Sequence, residues 1–169
     1  MTKAKPLPPL GYVQEHLRYD PNTGLFWWKK QNKSGRSLFN PAGYLHTQSN
    51  YWMLYIDGQK YRAHRIAWLL YYKQDPRPLE IDHIDRNRSN NKINNLRLVT
   101  HQQNHFNKGT PSNSTSGVTG VSWGKKHKKW QAHGRLDGKR YNLGYFDSKN
   151  DAAAARVAWK QKALSKLGL

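Results

Sequence analysis

Two short apolar segments enclose an asparagine-rich loop, and a helix start follows the second segment directly. In the first segment, Leu79, Ile81 and Ile84 indicate a short strand that ends at Asp82 and His83. The second spans residues 96–99 and favours a strand paired with the first. Thr100, with Gln103 three residues later, indicates a capped helix start and puts Asn104 in the first two turns. The sequence therefore predicts a strand, a long polar loop, a second strand and a helix.

This arrangement would bring together side chains that suit hydrolysis of a phosphodiester bond. Asp82 and His83 end the first strand and, with Asn104, supply a carboxylate, an imidazole and a carboxamide. The oxygens of Asp82 and Asn104 are hard ligands for Mg²⁺, which keeps several waters and takes further ligands from substrate phosphate. His83 is neutral often enough near pH 7 to accept a proton from water as a general base. Asn95, at the far end of the loop, is suited to pin the loop and orient His83.

The stretch from 82 to 104 resembles the HNH endonucleases, in the form found in phage- and intron-borne homing nucleases. The residues that carry the resemblance are Asp82-His83, Asn90-Asn91, Asn95-Leu96-Arg97, Val99-Thr100 and Asn104. The resemblance implies a ββα-metal domain, here with an extra β-hairpin and helix. The alternative is an asparagine-rich polar loop in which Asp82 and His83 only end a strand.

The resemblance also implies a role for each matching residue. Asp82 and Asn104 would be the metal ligands, His83 the general base and Asn95 the structural residue of the catalytic centre. Asn104 stands where many relatives have a histidine, so the chain resembles the H-N-N variant; His105 is the alternative second ligand. The implied cofactor is one Mg²⁺ or Mn²⁺ ion per active site, and the implied products are a 5′-phosphate and a 3′-hydroxyl.

The charge balance indicates a polyanionic partner. The 169 residues include 29 Lys and Arg against 10 Asp and Glu, which gives a net charge of +19. No run of 18 apolar residues indicates a membrane span, and the first ten residues lack the apolar segment of a signal peptide. There is no cysteine, which excludes disulfides and Cys-x-x-Cys zinc sites. We therefore expect a cytoplasmic protein, in a phage-infected host cell if the resemblance holds, with double-stranded DNA as partner and no protein partner evident.

Upstream of the HNH-like stretch, the sequence predicts a small α+β layer. We expect a helix over residues 11–18 and a strand over 25–30. A β-hairpin is indicated by Asp57-Gly58 between apolar segments. A helix over residues 65–72 should then be ended by the prolines at 76 and 78.

Several basic residues in this region are candidates for phosphate binding, namely Lys29, Lys30, Lys33, Arg36, His64 and Arg65. For Lys29, Lys30, Lys33 and Arg36, a solvated basic face is the alternative. For His64, the alternative is a structural role as a helix cap.

Residues 107–117 contain only Gly, Pro and small polar residues with one Lys, which is typical of a flexible linker. The sequence therefore predicts three parts. Residues 1–107 form the HNH nuclease domain, residues 108–116 the linker, and residues 117–169 a DNA-binding domain.

The third part is predicted to be a three-stranded antiparallel sheet backed by one helix. Strands are expected over residues 118–123, 130–136 and 139–146, and Asp137-Gly138 fits a two-residue turn between the last two. Ser148 begins a helix whose apolar face carries Ala152, Ala155, Trp159 and Ala163.

The two-residue turn fixes which side chains share a face, because it pairs 136 with 139, 135 with 140 and 133 with 142. The face toward the helix should carry Trp130, Ala132, Leu136, Tyr141, Leu143 and Tyr145. The open face should carry Gln131, His133, Arg135, Arg140 and Asn142. These are residue types that hydrogen-bond to base edges, and a sheet can lie in the major groove.

This unit resembles the DNA-binding domain of the plant ethylene-response (APETALA-two) class. The resemblance rests on Gly120-Val121, Trp130, Arg135, Leu143-Gly144, Phe146 and the start of the alanine-rich helix. It implies that Arg135 and Arg140 contact bases. The alternative is an ordinary sheet with a solvated basic face.

Taken as a whole, the sequence predicts a metal-dependent DNA endonuclease, homing-endonuclease-like, whose site is selected by the C-terminal domain. Two other classes stay open. One is a DNA-binding regulatory protein with an inactive HNH motif, and the other is a basic RNA-associated protein.

Overall fold

The structure, a computed structural model, describes residues 5–31, 35, 37–107, 109–110 and 114–168, without the side chain of His105. Lys33, Arg36 and part of the expected linker, residues 108 and 111–113, lie outside the described residues. The chain divides into two compact units, Met1–Thr100 and His101–Leu169. The expected domain limits at 107 and 117 stay predictions.

The first unit alternates short strands with two helices. In chain order its elements are α1 (Leu10–His16), β1 (Leu17–Tyr19), β2 (Phe26–Trp28), β3 (Tyr44–His46), β4 (Tyr51–Ile56), β5 (Gln59–Arg62), α2 (Ala63–Tyr72), β6 (Glu80–His83) and β7 (Leu96–Val99), with a 3₁₀ turn (Ile93–Asn95) before β7. β1 pairs with β2, β4 lies between β3 and β5, and β6 pairs with β7, all antiparallel.

Helix α2 supplies much of the core of this unit. Ile66 is fully buried and packs in one cluster with Phe26 and Leu54 from the strands. Burying a side chain of this size contributes roughly 1.5–3 kcal/mol. The helix begins two residues earlier than expected and ends through Lys73 in a left-handed conformation, not at the prolines.

The second unit has α3 (His101–Asn107), β8 (Val121–Gly124), β9 (Lys129–Leu136), β10 (Lys139–Phe146) and α4 (Lys149–Lys166). β9 is the central strand of the antiparallel sheet, and α4 packs against it. Ser148 caps α4 by accepting a hydrogen bond from the Asn150 N–H at 3.0 Å. The predicted α+β class is confirmed, although β8 begins three residues later than expected.

The β9–β10 register follows the prediction near the turn and departs from it beyond Asn142. Arg140 pairs with Arg135 and Asn142 with His133, as expected. A bulge then shifts the register between Asn142 and Gly144, so that Tyr145 pairs with Gln131. The prediction that Tyr145 faces the helix is therefore wrong, because the extra residue moves it to the face of Gln131.

The local chemistry of Asn142 explains the bulge. Its Oδ1 accepts a hydrogen bond from the Gly144 N–H at 3.2 Å, which turns the strand over two residues. Gly144 has φ +122°, a conformation that side-chain-bearing residues rarely adopt. Phe146, the next residue after Tyr145, joins the core cluster under α4 in its place.

Trp159 of α4 lies directly over Gly134 in the middle of β9. A Cβ atom at Gly134 would come within 2.5 Å of the Trp159 ring. The ring also packs against Phe106 and Tyr141, with centroid separations of 5.9 and 5.8 Å. The absence of a side chain at position 134 therefore allows α4 to approach the sheet.

We predict that Gly134→Ala destabilises the protein by about 1–3 kcal/mol, the usual cost of overpacking a filled core. The free energy of unfolding should be measured by urea titration. Gly109→Ala is the matched control, because a Cβ there has no atom within 4 Å and the residue has no positive φ. Equal unfolding midpoints for the two variants would contradict this packing.

Candidate active site

The β6–β7 hairpin fixes the first two candidate residues at the end of a buried strand. Asp82 pairs with Arg97 across the ladder, and His83 pairs with Leu96. Asp82 Oδ2 accepts hydrogen bonds from Arg97 Nε and Nη2, both at 2.9 Å. Because Asp82 is buried, this ion pair holds the carboxylate in one orientation.

The Asn95 side chain forms hydrogen bonds with other residues of the loop between the two strands. Its Oδ1 accepts from the Asp85 N–H at 3.0 Å, and its Nδ2 donates to Asp85 Oδ1 and to the Asn90 carbonyl, both at 2.9 Å. The Asn95 carbonyl also accepts from the Ile84 N–H at 2.9 Å. This geometry matches the structural role that the sequence predicts for Asn95.

Asp85 is the main hydrogen-bond partner of Asn95 in this network, and sequence analysis missed it. Its Oδ1 accepts from the Asn87 N–H at 2.8 Å, and its Oδ2 accepts from Asn90 Nδ2 at 2.7 Å. Burial raises the pKa of Asp85, but hydrogen bonds from Asn90, Asn87 and Asn95 together hold it below its ordinary value. The signal available was an aspartate between His83 and a run of asparagines.

The turn between β1 and β2 supports the same loop from outside. The Tyr19 hydroxyl donates to the Asn91 carbonyl at 2.7 Å, and the Ile93 N–H donates to the Pro21 carbonyl at 3.0 Å. Gly24 has φ +76°, and a Cβ there would lie 2.7 Å from the Asn91 carbonyl carbon. The N-terminal hairpin is therefore part of the scaffold that positions the HNH-like loop.

His83 lies in an aromatic cluster with His64 and Tyr51. The His64 and His83 ring centroids are 5.0 Å apart in an edge-to-face arrangement, and the Tyr51 ring lies 5.3 Å from His64 and 6.0 Å from His83. Both histidines are 4% exposed. Tyr51 was not singled out from the sequence, because only its position on β4 brings it to the site.

The environment lowers the pKa of both imidazoles, which favours their neutral form. Burial, and then the charges of His83, Arg62 and Arg65, hold the pKa of His64 well below its ordinary value. Burial also lowers the pKa of His83, against the opposing effects of an Asn91 hydrogen bond and of the Asp85 and Asp82 carboxylates. A neutral imidazole is the form in which a histidine can accept a proton.

The basic candidates of the first unit mostly contact the chain itself. Lys29 donates to the Gln14 carbonyl at 2.7 Å, and Lys30 lies 2.5 Å from Glu15. Arg65 Nη1 donates to the Lys5 carbonyl at 2.8 Å, and its Nη2 lies 3.7 Å from Asp75. Lys29 and Lys30 are exposed, whereas Arg65 is only partly so. Phosphate contacts by these residues stay predictions.

His64 does not cap α2. Arg62 is the N-cap residue, and no side chain makes a capping hydrogen bond there. The His64 Nδ1 atom is buried and has no hydrogen-bond partner among the described residues. The helix-cap alternative for His64 is therefore wrong, and its ring belongs to the interior beside His83.

The predicted second metal ligand lies in the second unit, on α3. Asn104 is the fourth residue of that helix, as expected from the capped start at Thr100. Within the described ranges, His, Asp and Glu side chains form no cluster of three that could hold a metal ion. The donor chemistry of Asp82 and Asn104 nevertheless fits a hard divalent ion that keeps waters and binds substrate oxygens. Their joint role as ligands stays a prediction.

The open face of the second sheet carries the residues predicted to face DNA. Gln131, His133 and Arg135 alternate along β9, opposite Tyr145, Asn142 and Arg140 of β10. Burial, followed by the charges of Arg140 and Arg156, lowers the pKa of His133. The Asn142 Oδ1 already accepts a hydrogen bond within the bulge, which leaves its amide nitrogen as the available donor.

Comparisons with known proteins show the family to which the chain is related. The family model of HNH endonucleases matches residues 61–106. The chain is 37% identical to protein 3.8 of Escherichia phage T7 over 82 residues. This matched stretch covers 48% of this chain and 68% of that protein. This chain belongs to the HNH endonuclease family. The prediction that it is an endonuclease is confirmed.

Further HNH endonucleases are similar over shorter shares of their length. An HNH endonuclease of Acanthamoeba polyphaga mimivirus is 45% identical over 64 residues, which cover 37% of this chain and 34% of that protein. An SPbeta prophage-derived HNH homing endonuclease of Bacillus subtilis is 29% identical over 92 residues, covering 54% and 52%. The chain thus spans less than two thirds of these two relatives.

One solved structure is also similar, with a TM-score of 0.40 and 26% sequence identity, over 54% of this chain and 51% of that chain. It describes DNA binding and cleavage by the HNH homing endonuclease I-HmuI. HNH nucleases generally use a divalent metal ion.

None of the helices in the described part of this HNH endonuclease has the length and apolar content to cross a lipid bilayer.

We predict that Asn95→Ala destabilises the first unit by about 1–3 kcal/mol, because the buried Asn95 side chain loses its hydrogen bonds with Asp85 and the Asn90 carbonyl. The neighbouring Asn94→Ala is the matched control, since Asn94 is exposed. Urea unfolding of both variants gives the two free energies. A loss for Asn95→Ala no larger than that for Asn94→Ala would show that the loop does not depend on this network.

Proposed function

We propose that the chain is a metal-dependent endonuclease that cuts double-stranded DNA, with His83 as general base and a C-terminal sheet that selects the site. The observation that carries the proposal is the HNH hairpin itself. It puts the buried His83, whose pKa is lowered by burial, next to Asp82, whose carboxylate is held by Arg97. DNA as substrate is supported by the net charge of +19 and by the similar HNH endonuclease described with DNA.

In this proposal each residue of the hairpin has one task. His83 accepts the proton of the water that attacks the phosphorus atom. Asn95 and Asp85 hold the loop so that the His83 ring keeps its orientation. Asp82 and Asn104 would hold a divalent ion, Mg²⁺ or Mn²⁺, which when bound stabilises the charge that develops on the leaving oxygen.

The second part of the proposal concerns targeting. The open face of β9 and β10 presents Arg135 and Arg140 on directly paired positions, both exposed. Paired arginines on a sheet can contact neighbouring guanines in the major groove. The APETALA-two resemblance supports the same use of the sheet. The bulge adds the exposed Tyr145 to this face, where its ring centroid lies 4.5 Å from that of His127, with the two rings tilted by 49°.

We predict that His83→Ala lowers the rate of DNA cleavage by about 100- to 10,000-fold, the range for loss of a general base. Cleavage of a supercoiled plasmid with and without Mg²⁺ should be followed alongside duplex binding, which is expected to persist. His16→Ala, which removes a histidine from α1, is the control.

Two results would contradict the proposal. Full cleavage by His83→Ala would remove the histidine from the chemistry. Tight duplex binding with no cleavage by the native chain in any divalent metal would favour the alternative, a DNA-binding regulatory protein. Stronger binding to RNA than to duplex DNA would favour the RNA-associated class.

We predict that Arg135→Ala or Arg140→Ala relaxes sequence preference at one or two base pairs, by about 1–3 kcal/mol for a lost bidentate contact. Binding to a library of duplexes with varied sequence measures it. Lys139→Ala is the matched control, because it removes the same charge next to Arg140 but pairs with Leu136, on the other face. If all three variants lose affinity equally for every sequence, the sheet binds DNA only through its charge.

A further inference from the structure

Two arginine side chains lie over one tyrosine ring next to the HNH histidine. The Arg62 guanidinium carbon is 4.4 Å from the centroid of the Tyr51 ring, and that of Arg88 is 5.1 Å away. Tyr51 begins β4, Arg62 ends β5, and Arg88 lies in the loop that follows His83. Three separate elements therefore converge on this ring, which we call the Tyr51 cluster: Tyr51, Arg62 and Arg88.

The backbone holds each member of the Tyr51 cluster in place. Arg62 pairs with Met53 across the β4–β5 ladder, so its side chain emerges on the face of Tyr51, diagonally opposite. Arg88 donates from Nη1 to the Ser49 carbonyl at 3.2 Å, just before β4. A cation is attracted to the face of an aromatic ring, which favours this arrangement over free rotation of the side chains.

The two guanidinium groups keep most of their hydrogen-bonding capacity. An arginine has five N–H donors, and the Ser49 carbonyl takes one from Arg88. In the described part of the chain, neither Arg62 nor Arg88 has a carboxylate partner, and both are exposed. Other arginines of the same unit do have one, as Arg97 has with Asp82.

The Tyr51 cluster is also close enough to affect the histidines. The Tyr51 ring centroid lies 5.3 Å from His64 and 6.0 Å from His83. The Arg62 charge acts on His64 and the Arg88 charge on His83, each disfavouring a protonated imidazole. Two like charges over one ring repel each other, and an anion that binds both removes this repulsion.

We propose that Arg62 and Arg88 bind the phosphates of the DNA strand beside the bond that is cut, with Tyr51 as the positioning residue. The planar guanidinium group suits a phosphate because it can donate two parallel hydrogen bonds. This inference rests on the proposed nuclease function. It assigns phosphate binding to exposed arginines next to His83 and not to Lys29, Lys30 or Arg65.

The test measures coupling between each arginine and one substrate phosphate. Duplexes that carry an uncharged methylphosphonate at single positions around the cut are cleaved under single-turnover conditions. With ordinary DNA, Arg62→Gln and Arg88→Gln should each lower the rate by about 10- to 100-fold, as expected for a lost charge-assisted contact. Replacing the phosphate that a given arginine contacts by a methylphosphonate should lower the cleavage rate of the native chain by about 10-fold or more. The same replacement should lower the cleavage rate of the variant that lacks this arginine by less than threefold.

Matched variants separate binding from folding. Arg18→Gln removes an arginine that lies over Trp27 at 4.6 Å on another sheet, and it should leave both the rate and the methylphosphonate pattern unchanged. Arg88→Lys keeps the charge and should recover part of the rate, without the bidentate contact. Thermal melting of every variant shows whether the fold is kept.

The role of Tyr51 has its own readout. Tyr51→Phe keeps the ring and should cut within about threefold of the native rate, since a phenyl face also attracts a cation. Tyr51→Leu should lower the rate, and adding Arg88→Gln to it should cost less than in the native chain. Equal costs in both backgrounds would overturn the positioning role.

Additive losses at every methylphosphonate position, for both arginine variants, would overturn the phosphate assignment. So would a fall in melting temperature without a change in the single-turnover rate, since the cluster would then serve stability alone. These results require that the native chain cuts unmodified DNA. A native chain that does not cut it contradicts the proposed function itself and is thus distinguished from failure of this inference.

Discussion

The hydrogen bonds between Asn95 and Asp85 are the constraint on which the rest of the first unit depends. They close a loop of ten residues, almost all of them polar, that has no apolar core of its own. A polar loop of this kind is stable only when its buried groups are paired, because each unpaired group costs roughly 1–3 kcal/mol. The loop therefore keeps its shape through amide and carboxylate side chains.

The site combines this polar loop with two buried histidines. His83 and His64 contact each other edge to face beneath Tyr51, and burial disfavours a charge on either ring. A base that is neutral before substrate arrives needs no deprotonation step. The arrangement has a consequence for access, because a phosphate can reach a ring with 4% exposure only over that small exposed part or after local movement.

Patterns in the sequence predicted the elements whose geometry is local. The two-residue turn at Asp137-Gly138 fixed the β9–β10 register near it, because such a turn allows only one pairing of the residues that flank it. The bulge at Leu143 was missed, since its cause is a hydrogen bond that the Asn142 side chain accepts from the Gly144 N–H, which alternation does not encode. Likewise, Asp82 and His83 were visible as a motif, whereas Tyr51 and the Tyr19 hydroxyl reach the site only through long-range packing.

The basic character of the protein follows from how its few acidic groups are used. Asp82 is bound by Arg97, and Asp75 is shared by Arg65 and Arg77. The Asp85 carboxylate accepts hydrogen bonds from Asn90 and Asn95 of the loop. With 10 acidic residues in the whole chain, little negative charge remains to offset 29 Lys and Arg at the surface.

A surface of this kind attracts a polyanion at long range, and the attraction weakens as salt shortens the screening length to about 8 Å at physiological ionic strength. Exposed lysines can supply that non-specific term wherever they lie, but the orientation of a scissile phosphate requires cations that are fixed, and the arginines of the Tyr51 cluster meet that requirement through a ring and a backbone carbonyl.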